Sequence, residues 1–129
     1  MEKVSSQPCV LVIDDDHDVC AVITCTLEAV LGWTVITAHS GVAGIALAEQ
    51  HQPNLILLDV AMPGLNGRET FAHLKRTPHT AHIPVVFITA SGDEKINELS
   101  VLGPRAVVAK PFDPVELANN LSQLIAANA

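Results

Sequence analysis

Five short apolar runs, rich in β-branched residues, recur along this chain of 129 residues and alternate with longer segments of helical period. The runs are CVLVI (9–13), WTVITA (33–38), NLILLD (54–59), PVVFITA (84–90) and RAVVAK (105–110). Four of the five lack the apolar and polar alternation of a strand with one solvated face, so we expect those strands to be buried on both faces, as in a parallel sheet. Strands that alternate with helices predict right-handed crossovers and a doubly wound α/β fold, in which helices cover both faces of a five-stranded parallel sheet.

The segments between these runs carry the helix signals. In the first segment, apolar side chains repeat at intervals of three and four from Val19 to Val30, and Asp16 or Asp18 is placed to cap the start. Further helices are predicted over 41–51, 67–76, about 93–102 and the residues that follow Asp113. No repeat or linker divides the chain, so we expect one domain over residues 9–127, preceded by an N-terminal extension at residues 1–8.

Composition narrows the possible partners. The net charge is −7, from 14 Asp and Glu against 7 Lys and Arg, and direct binding to nucleic acid or to an anionic membrane is not expected of an acidic surface. The chain shows no signal-peptide pattern and no apolar run near the ~20 residues of a membrane span, which predicts a cytoplasmic protein. The three cysteines, Cys9, Cys20 and Cys25, have no CxxC spacing and are expected to be buried, reduced thiols.

Charged and polar residues stand where four of the predicted strands end. The first strand runs into three aspartates at 14–16, the third ends at Asp59, the fourth at Thr89 and the fifth at Lys110. Ligands of open parallel sheets bind at this edge, and clustered carboxylates suit a hard cation such as Mg²⁺, which also offsets their mutual repulsion. Because a lysine and a hydroxyl suit phosphoryl oxygens, the set predicts phosphoryl transfer to a carboxylate.

Four motifs carry a family resemblance. VLVIDDD, LILLDVAMPGLNG, VVFITAS and LGPRAVVAKPF, in this order and over essentially the whole chain, resemble the receiver domain of two-component response regulators. The resemblance implies the flavodoxin-like strand order 2-1-3-4-5 and a phosphorylation-dependent signalling switch. It implies a histidine kinase or phosphotransfer protein as the phosphoryl donor and a downstream protein as the partner. The protein would be a monomer or a phosphorylation-dependent dimer, and a regulatory phosphoacceptor with at most limited autophosphatase activity.

The resemblance assigns the acceptor and the Mg²⁺ ligands. Asp59 would be the phosphoacceptor and also a metal ligand. Asp15 would bind Mg²⁺ directly, Asp14 would act largely through water, and the backbone carbonyl of Ala61 would complete the protein's share of the metal shell. Asp16, the third aspartate of the run, is expected to cap the first helix instead.

The resemblance also assigns the residues that contact the phosphoryl group. Thr89 would bind a phosphoryl oxygen and move with it, and Lys110 would pair with the phosphoryl group from a position set by a cis bond to Pro111. One position departs from the family pattern: many receivers carry an aromatic residue three positions before the lysine, where this chain has Val107. The acceptor chemistry does not need that ring, but the usual coupled movement of threonine and aromatic is put in doubt.

Other functions stay open at this point. A haloacid-dehalogenase-like phosphatase would use Asp14 as its nucleophile, with Asp16, Thr89 and Lys110, but gives no reason for Asp59 and its MPGLNG loop. A constitutive docking module that has lost phosphorylation is compatible with Val107. A flavin mononucleotide site fits worst, because three aspartates would repel the phosphate.

Overall fold

A computed structural model of the chain describes residues 7–90 and 93–127, with the backbone alone described for residues 93–95 and 127. The first six residues of the predicted N-terminal extension lie outside the described part. Five parallel strands form one sheet in the order β2-β1-β3-β4-β5, which confirms the predicted fold class and strand order. The strands are β1 (Cys9–Ile13), β2 (Thr34–Ala38), β3 (Leu55–Asp59), β4 (Val85–Thr89) and β5 (Ala106–Ala109).

Helices follow the strands as predicted, with small differences at their ends. They are α1 (His17–Thr26), α2 (Gly41–His51), α3 (Gly67–Arg76), α4 (Asp93–Ser100) and α5 (Pro114–Ala127). A single π-helical turn, Leu27–Leu31, extends α1, and Gly32 ends it in the left-handed region at φ 69°. No helix within the described residues is long and apolar enough to cross a membrane.

Strand burial follows position in the sheet. The central strands β1, β3 and β4 are buried on both faces from Val10 onward, as predicted. The prediction is wrong for one of the four strands, because all residues of β5 are half-buried. In the described part of the chain β5 pairs with β4 only, and this edge position exposes it although its sequence is as apolar as that of a central strand.

Two apolar clusters lie on the two faces of the sheet. The first joins alternate residues of β1, β3 and β4 to Ile23 of α1 and Leu121 of α5, and Trp33 is buried within it. The second joins the intervening strand residues to Phe71 and Leu74 of α3 and to the fully buried Leu99 of α4. Each strand therefore presents side chains to both clusters, which fixes the direction in which the residues at the strand ends point.

Helix α1 shows how the aspartate run divides. Asp16 caps the helix, since its carboxylate accepts from the amides of Asp18 at 2.9 Å and Val19 at 3.3 Å, as expected.

The prediction that all three cysteines are buried, reduced thiols holds only in part. All three thiols are free, but only Cys20 is buried, whereas Cys25 is exposed because it lies on the solvent side of α1.

Candidate functional site

The sheet brings the predicted site residues to one edge. Its hydrogen-bonded ladder continues one residue beyond β1 and β5: the amide of Asp14 donates to the carbonyl of Ala38 at 3.0 Å, and the amide of Lys110 donates to the carbonyl of Thr89 at 2.7 Å. Asp59 and Thr89 are the last residues of β3 and β4. Thus regular strand pairing places four residues from distant parts of the chain side by side.

Three carboxylates converge at this edge. Asp14, Asp15 and Asp59 each offer an oxygen within 4.8 Å of the others, and no other group of three acidic, histidine or cysteine residues among the described residues comes this close. Asp14 and Asp59 are buried, with 1% and 4% of their surface exposed, while Asp15 is exposed. This donor set, all oxygen and open on one side to water, fits a hard divalent cation such as Mg²⁺. Ala61 is exposed in the loop after Asp59, and its role as a ligand stays a prediction.

Lys110 lies between the two buried carboxylates. Its Nζ is 3.4 Å from Oδ2 of Asp14 and 3.4 Å from Oδ1 of Asp59. Burial lowers the pKa of Lys110, but the charges of Asp59 and Asp14 raise it by more, so the ammonium stays charged. The Lys110-Pro111 bond is cis, as expected.

Asp59 is a carboxyl group with an unusual affinity for protons. Burial, and after it the charge of Asp14, raise its pKa from 3.8 to about 6, although Lys110 offsets part of the increase. The carboxylate is therefore largely ionised at neutral pH, yet it is held in surroundings that oppose its charge. A cation bound in addition to the Lys110 ammonium would stabilise the ionised form of Asp59.

Asp14 is held in place at several atoms. Its Oδ1 accepts from the amide of Asp16 at 2.9 Å. Its backbone carbonyl lies 3.4 Å from Sγ of Cys20, which donates to it, and 3.1 Å from Nδ1 of His39. Burial, and after it the charge of Asp14, raise the pKa of the Cys20 thiol to about 11, so the thiol keeps its proton. Sequence reasoning found neither partner, because no motif marks a side chain that contacts a backbone carbonyl.

Thr89 ends β4, and Val107 lies on the neighbouring strand β5. Thr89 is buried, with 3% of its surface exposed. Val107 is half-buried opposite Phe87 in the ladder and packs against the cluster that contains Leu99 of α4. The position three residues before Lys110 is thus filled by a small aliphatic side chain that contacts the core.

Gly67 packs against the backbone at the end of β3. Its amide, at the start of α3, donates to the carbonyl of Val60 at 3.0 Å. A Cβ at this position would collide with the carbonyl oxygen of Asp59 and lie 2.6 Å from Cα of Val60. Asn66 caps the same helix, with Glu69 completing a capping box, so the start of α3 is fixed directly against the end of β3.

An apolar cleft opens beside Lys110. Its volume is about 520 Å³, and it runs between the first turns of α1 and α5. The side chains of Val19, Val22 and Phe112 form much of its wall, together with two prolines. Val22, on this wall, is 46% exposed.

Known proteins share this sequence pattern. The family model described as Response regulator receiver domain matches residues 10–122. Protein PilH of Pseudomonas aeruginosa is 32% identical over 119 residues, which cover 91% of this chain and 97% of PilH. The DNA-binding dual master transcriptional regulator RpaA of Synechocystis sp. is 37% identical over 120 residues, which cover 92% of this chain and 49% of RpaA. The chain thus spans about half the length of that relative.

Solved structures share the fold. Chemotaxis response regulator CheY4 of Vibrio cholerae superposes with a TM-score of 0.84 at 27% identity, covering 92% of this chain and 99% of CheY4. The receiver domain of the Francisella response regulator 1452 gives a TM-score of 0.87 at 26% identity, covering 95% and 100%. With the family match over residues 10–122, these similarities show that the chain belongs to the receiver domain family of two-component response regulators.

Proposed function

We propose that residues 9–127 form a receiver unit that accepts a phosphoryl group on Asp59 in a Mg²⁺-dependent reaction. The observation that carries this proposal is the position of the Asp59 carboxylate, buried beside Asp14 and 3.4 Å from Nζ of Lys110. A histidine kinase or phosphotransfer protein supplies the phosphoryl group, and a downstream protein responds to the modified surface. A cytoplasmic location follows from such a donor.

The chain's own residues perform the transfer. An oxygen of Asp59 attacks the phosphorus of a phosphohistidine, so an O–P bond forms, the N–P bond breaks and the departing imidazole takes up a proton. Asp14, Asp15, Asp59 and the carbonyl of Ala61 would hold Mg²⁺, which supplies positive charge for the phosphoryl oxygens. Lys110 adds a second positive charge, and the Thr89 hydroxyl donates to a phosphoryl oxygen.

The donor has an approach to the site. The apolar cleft beside Lys110, with the exposed Val22 on its wall, has a volume of about 520 Å³. Apolar surface next to a reacting group is typical of a place where a protein partner excludes water. We assign this cleft to the phosphoryl donor.

The response to phosphorylation passes through Thr89 and the adjoining loop. With Val107 in place of an aromatic ring, the threonine moves without a paired ring, and the surface of α4 and β5 changes through the packing of Leu99 and Val107. The receiver unit itself contacts a protein rather than DNA, because its net charge of −7 disfavours direct binding to nucleic acid. The protein is a monomer or a phosphorylation-dependent dimer, and any autophosphatase activity is limited.

Phosphorylation by a small donor tests the proposal. Incubation of the protein with acetyl phosphate and Mg²⁺ is expected to add one phosphoryl group, and mass spectrometry of peptides should place it on Asp59. EDTA should prevent the addition. A phosphoryl group on Asp14 would favour the phosphatase alternative, and a protein that binds neither Mg²⁺ nor beryllofluoride would be a constitutive docking module.

Lys110→Ala is expected to slow this phosphorylation about 100-fold, because the substitution removes a charge that stabilises the transferring group. Initial rates at saturating Mg²⁺ measure the effect. Mg²⁺ should still bind, since Lys110 is not a ligand and its ammonium repels the ion. Arg76→Ala, which removes an exposed positive charge at the end of α3, is the matched control and should leave the rate unchanged. Equal rates for Lys110→Ala and the control would remove Lys110 from the mechanism.

A further inference from the structure

The backbone carbonyl of Asp14 lies beyond the regular ladder. Strand β2 ends at Ala38, and the chain turns at residues 39 and 40 into α2, where Ser40 serves as the helix cap. The amide of Asp14 is still paired with β2, but its carbonyl accepts from two side chains instead, those of His39 and Cys20. Because Asp14 is only 1% exposed, a carbonyl left without these donors would lose hydrogen bonds that water replaces poorly.

The geometry fixes the role of the His39 ring. A carbonyl oxygen can only accept, so Nδ1 of His39, 3.1 Å away, carries the proton and donates it. The ring of His17 stacks on the ring of His39, with centroids 3.7 Å apart and an interplanar angle of 16°. His17 belongs to the first turn of α1, so the stack holds His39 between that helix and the end of β2.

We propose that His39 is a positioning residue for the metal site and acts through Asp14. The hydrogen bond from Nδ1 orients the Asp14 backbone, and with it the carboxylate that faces Lys110 and Asp59. A ligand held in its binding geometry loses less conformational freedom when the ion binds, so this bond raises the affinity for Mg²⁺. The inference rests on the proposed function and adds to it a contact that lies outside the acidic cluster.

Substitutions at position 39 separate the hydrogen bond from the rest of the side chain. In His39→Asn the amide nitrogen stands one bond beyond Cγ, where Nδ1 stands in histidine, whereas in His39→Gln it stands one bond farther out. His39→Ala is expected to weaken Mg²⁺ binding about fivefold, which corresponds to one net hydrogen bond. His39→Asn should restore the affinity to within about twofold, and His39→Gln should resemble His39→Ala.

Calorimetric titration of the full chain with Mg²⁺ at pH 8 measures these affinities without requiring activity. His51→Ala is the matched control, because it removes an exposed imidazole in the last turn of α2, outside the acidic cluster, and leaves both the stack and the donor at position 39 in place; its affinity for Mg²⁺ should change by less than about twofold. Thermal unfolding without Mg²⁺ provides the second measurement, since a merely structural role would lower the midpoint and leave the affinity of the folded protein unchanged.

The outcomes distinguish the two proposals. Weaker binding by His39→Ala with recovery in His39→Asn supports the positioning role. If the unmodified protein and all three position-39 variants bind Mg²⁺ equally, His39 has no such role and the proposed function stands. If the unmodified protein binds no Mg²⁺, the proposed function fails, and the positioning role fails with it.

Discussion

Asp59→Asn is expected to gain no phosphoryl group from acetyl phosphate and Mg²⁺, and at the same time to make the metal-free protein more stable at pH 7.5. The first effect follows because an amide is a far weaker nucleophile than a carboxylate. The second follows from the pKa of Asp59, which burial, together with Asp14, raises to about 6. A carboxyl group with a raised pKa costs folding free energy whenever it is ionised, and asparagine removes that cost.

The size and the pH range of the stabilisation are set by the same shift. Raising the pKa from 3.8 to about 6 corresponds to at most about 3 kcal/mol, which solvent at the open side of the site reduces to about 1–2 kcal/mol. For an acid shifted upward, the cost is fully present above pH 6 and vanishes below about pH 4, where both states are protonated. The gain should therefore appear as a rise in Tm of about 5 °C at pH 7.5 and disappear near pH 4.

Glu49→Gln is the matched control, because it neutralises an exposed acid on α2 outside the acidic cluster. It should take up a phosphoryl group normally and show almost no change in Tm at either pH. Saturating Mg²⁺ should reduce the advantage of Asp59→Asn, since the ion stabilises the protein that has all three carboxylates. If Asp59→Asn still becomes phosphorylated, Asp59 is excluded as the acceptor. If Asp59→Asn is no more stable than the unmodified protein at pH 7.5, charge repulsion at this site does not cost folding free energy.

Much of the fold, and the gathering of charged residues around Asp59, could be predicted because both depend on local patterns. The apolar runs mark the strands, and the end of a strand locates Asp59, Thr89 and Lys110 within one residue. The predicted capping role of Asp16 also depends on residues close in sequence. These features can be predicted without knowing which distant segments pack together. The one general rule required is that the carboxyl ends of parallel strands lie at the same edge of the sheet.

Features that depend on tertiary packing could not be predicted. The β5 run is as apolar as a central strand, and only its place at the edge leaves it half-buried. The contact between His39 and the Asp14 carbonyl joins residues 25 positions apart through a turn that no motif marks. Likewise, the exposure of Cys25 depends on which side of α1 faces the sheet.

The different roles of the two glycines after Asp59 also could not be predicted from the sequence. The sequence marks both Gly64 and Gly67 as turn residues, the second at the start of the helix predicted over 67–76. The structure separates them: Gly64 has φ 73° and open space where a Cβ would lie, whereas Gly67 has no room for a Cβ against the backbone of Asp59 and Val60. Gly64 is required by backbone conformation, and Gly67 by close packing against the end of β3.

Gly67→Ala is therefore expected to destabilise the protein by about 3 kcal/mol, with a fall in Tm of about 10 °C. The added methyl group meets the Asp59 carbonyl oxygen and the Cα of Val60, which are backbone atoms and cannot rotate away. Either α3 moves outward or the end of β3 shifts, and the second change displaces the acceptor. Urea unfolding measures the stability, and the acetyl phosphate reaction, at a temperature where the variant is folded, measures the displacement as a slower rate.

Gly64→Ala separates close packing from backbone conformation. Alanine at φ 73° costs about 1 kcal/mol but meets no neighbouring atom, so this variant should lose about a third as much stability and keep the phosphorylation rate of the unmodified protein. Equal losses for the two variants would mean that backbone conformation governs both positions. A slower reaction in Gly67→Ala alone would instead show that the contact between α3 and the end of β3 holds Asp59 where phosphoryl transfer requires it.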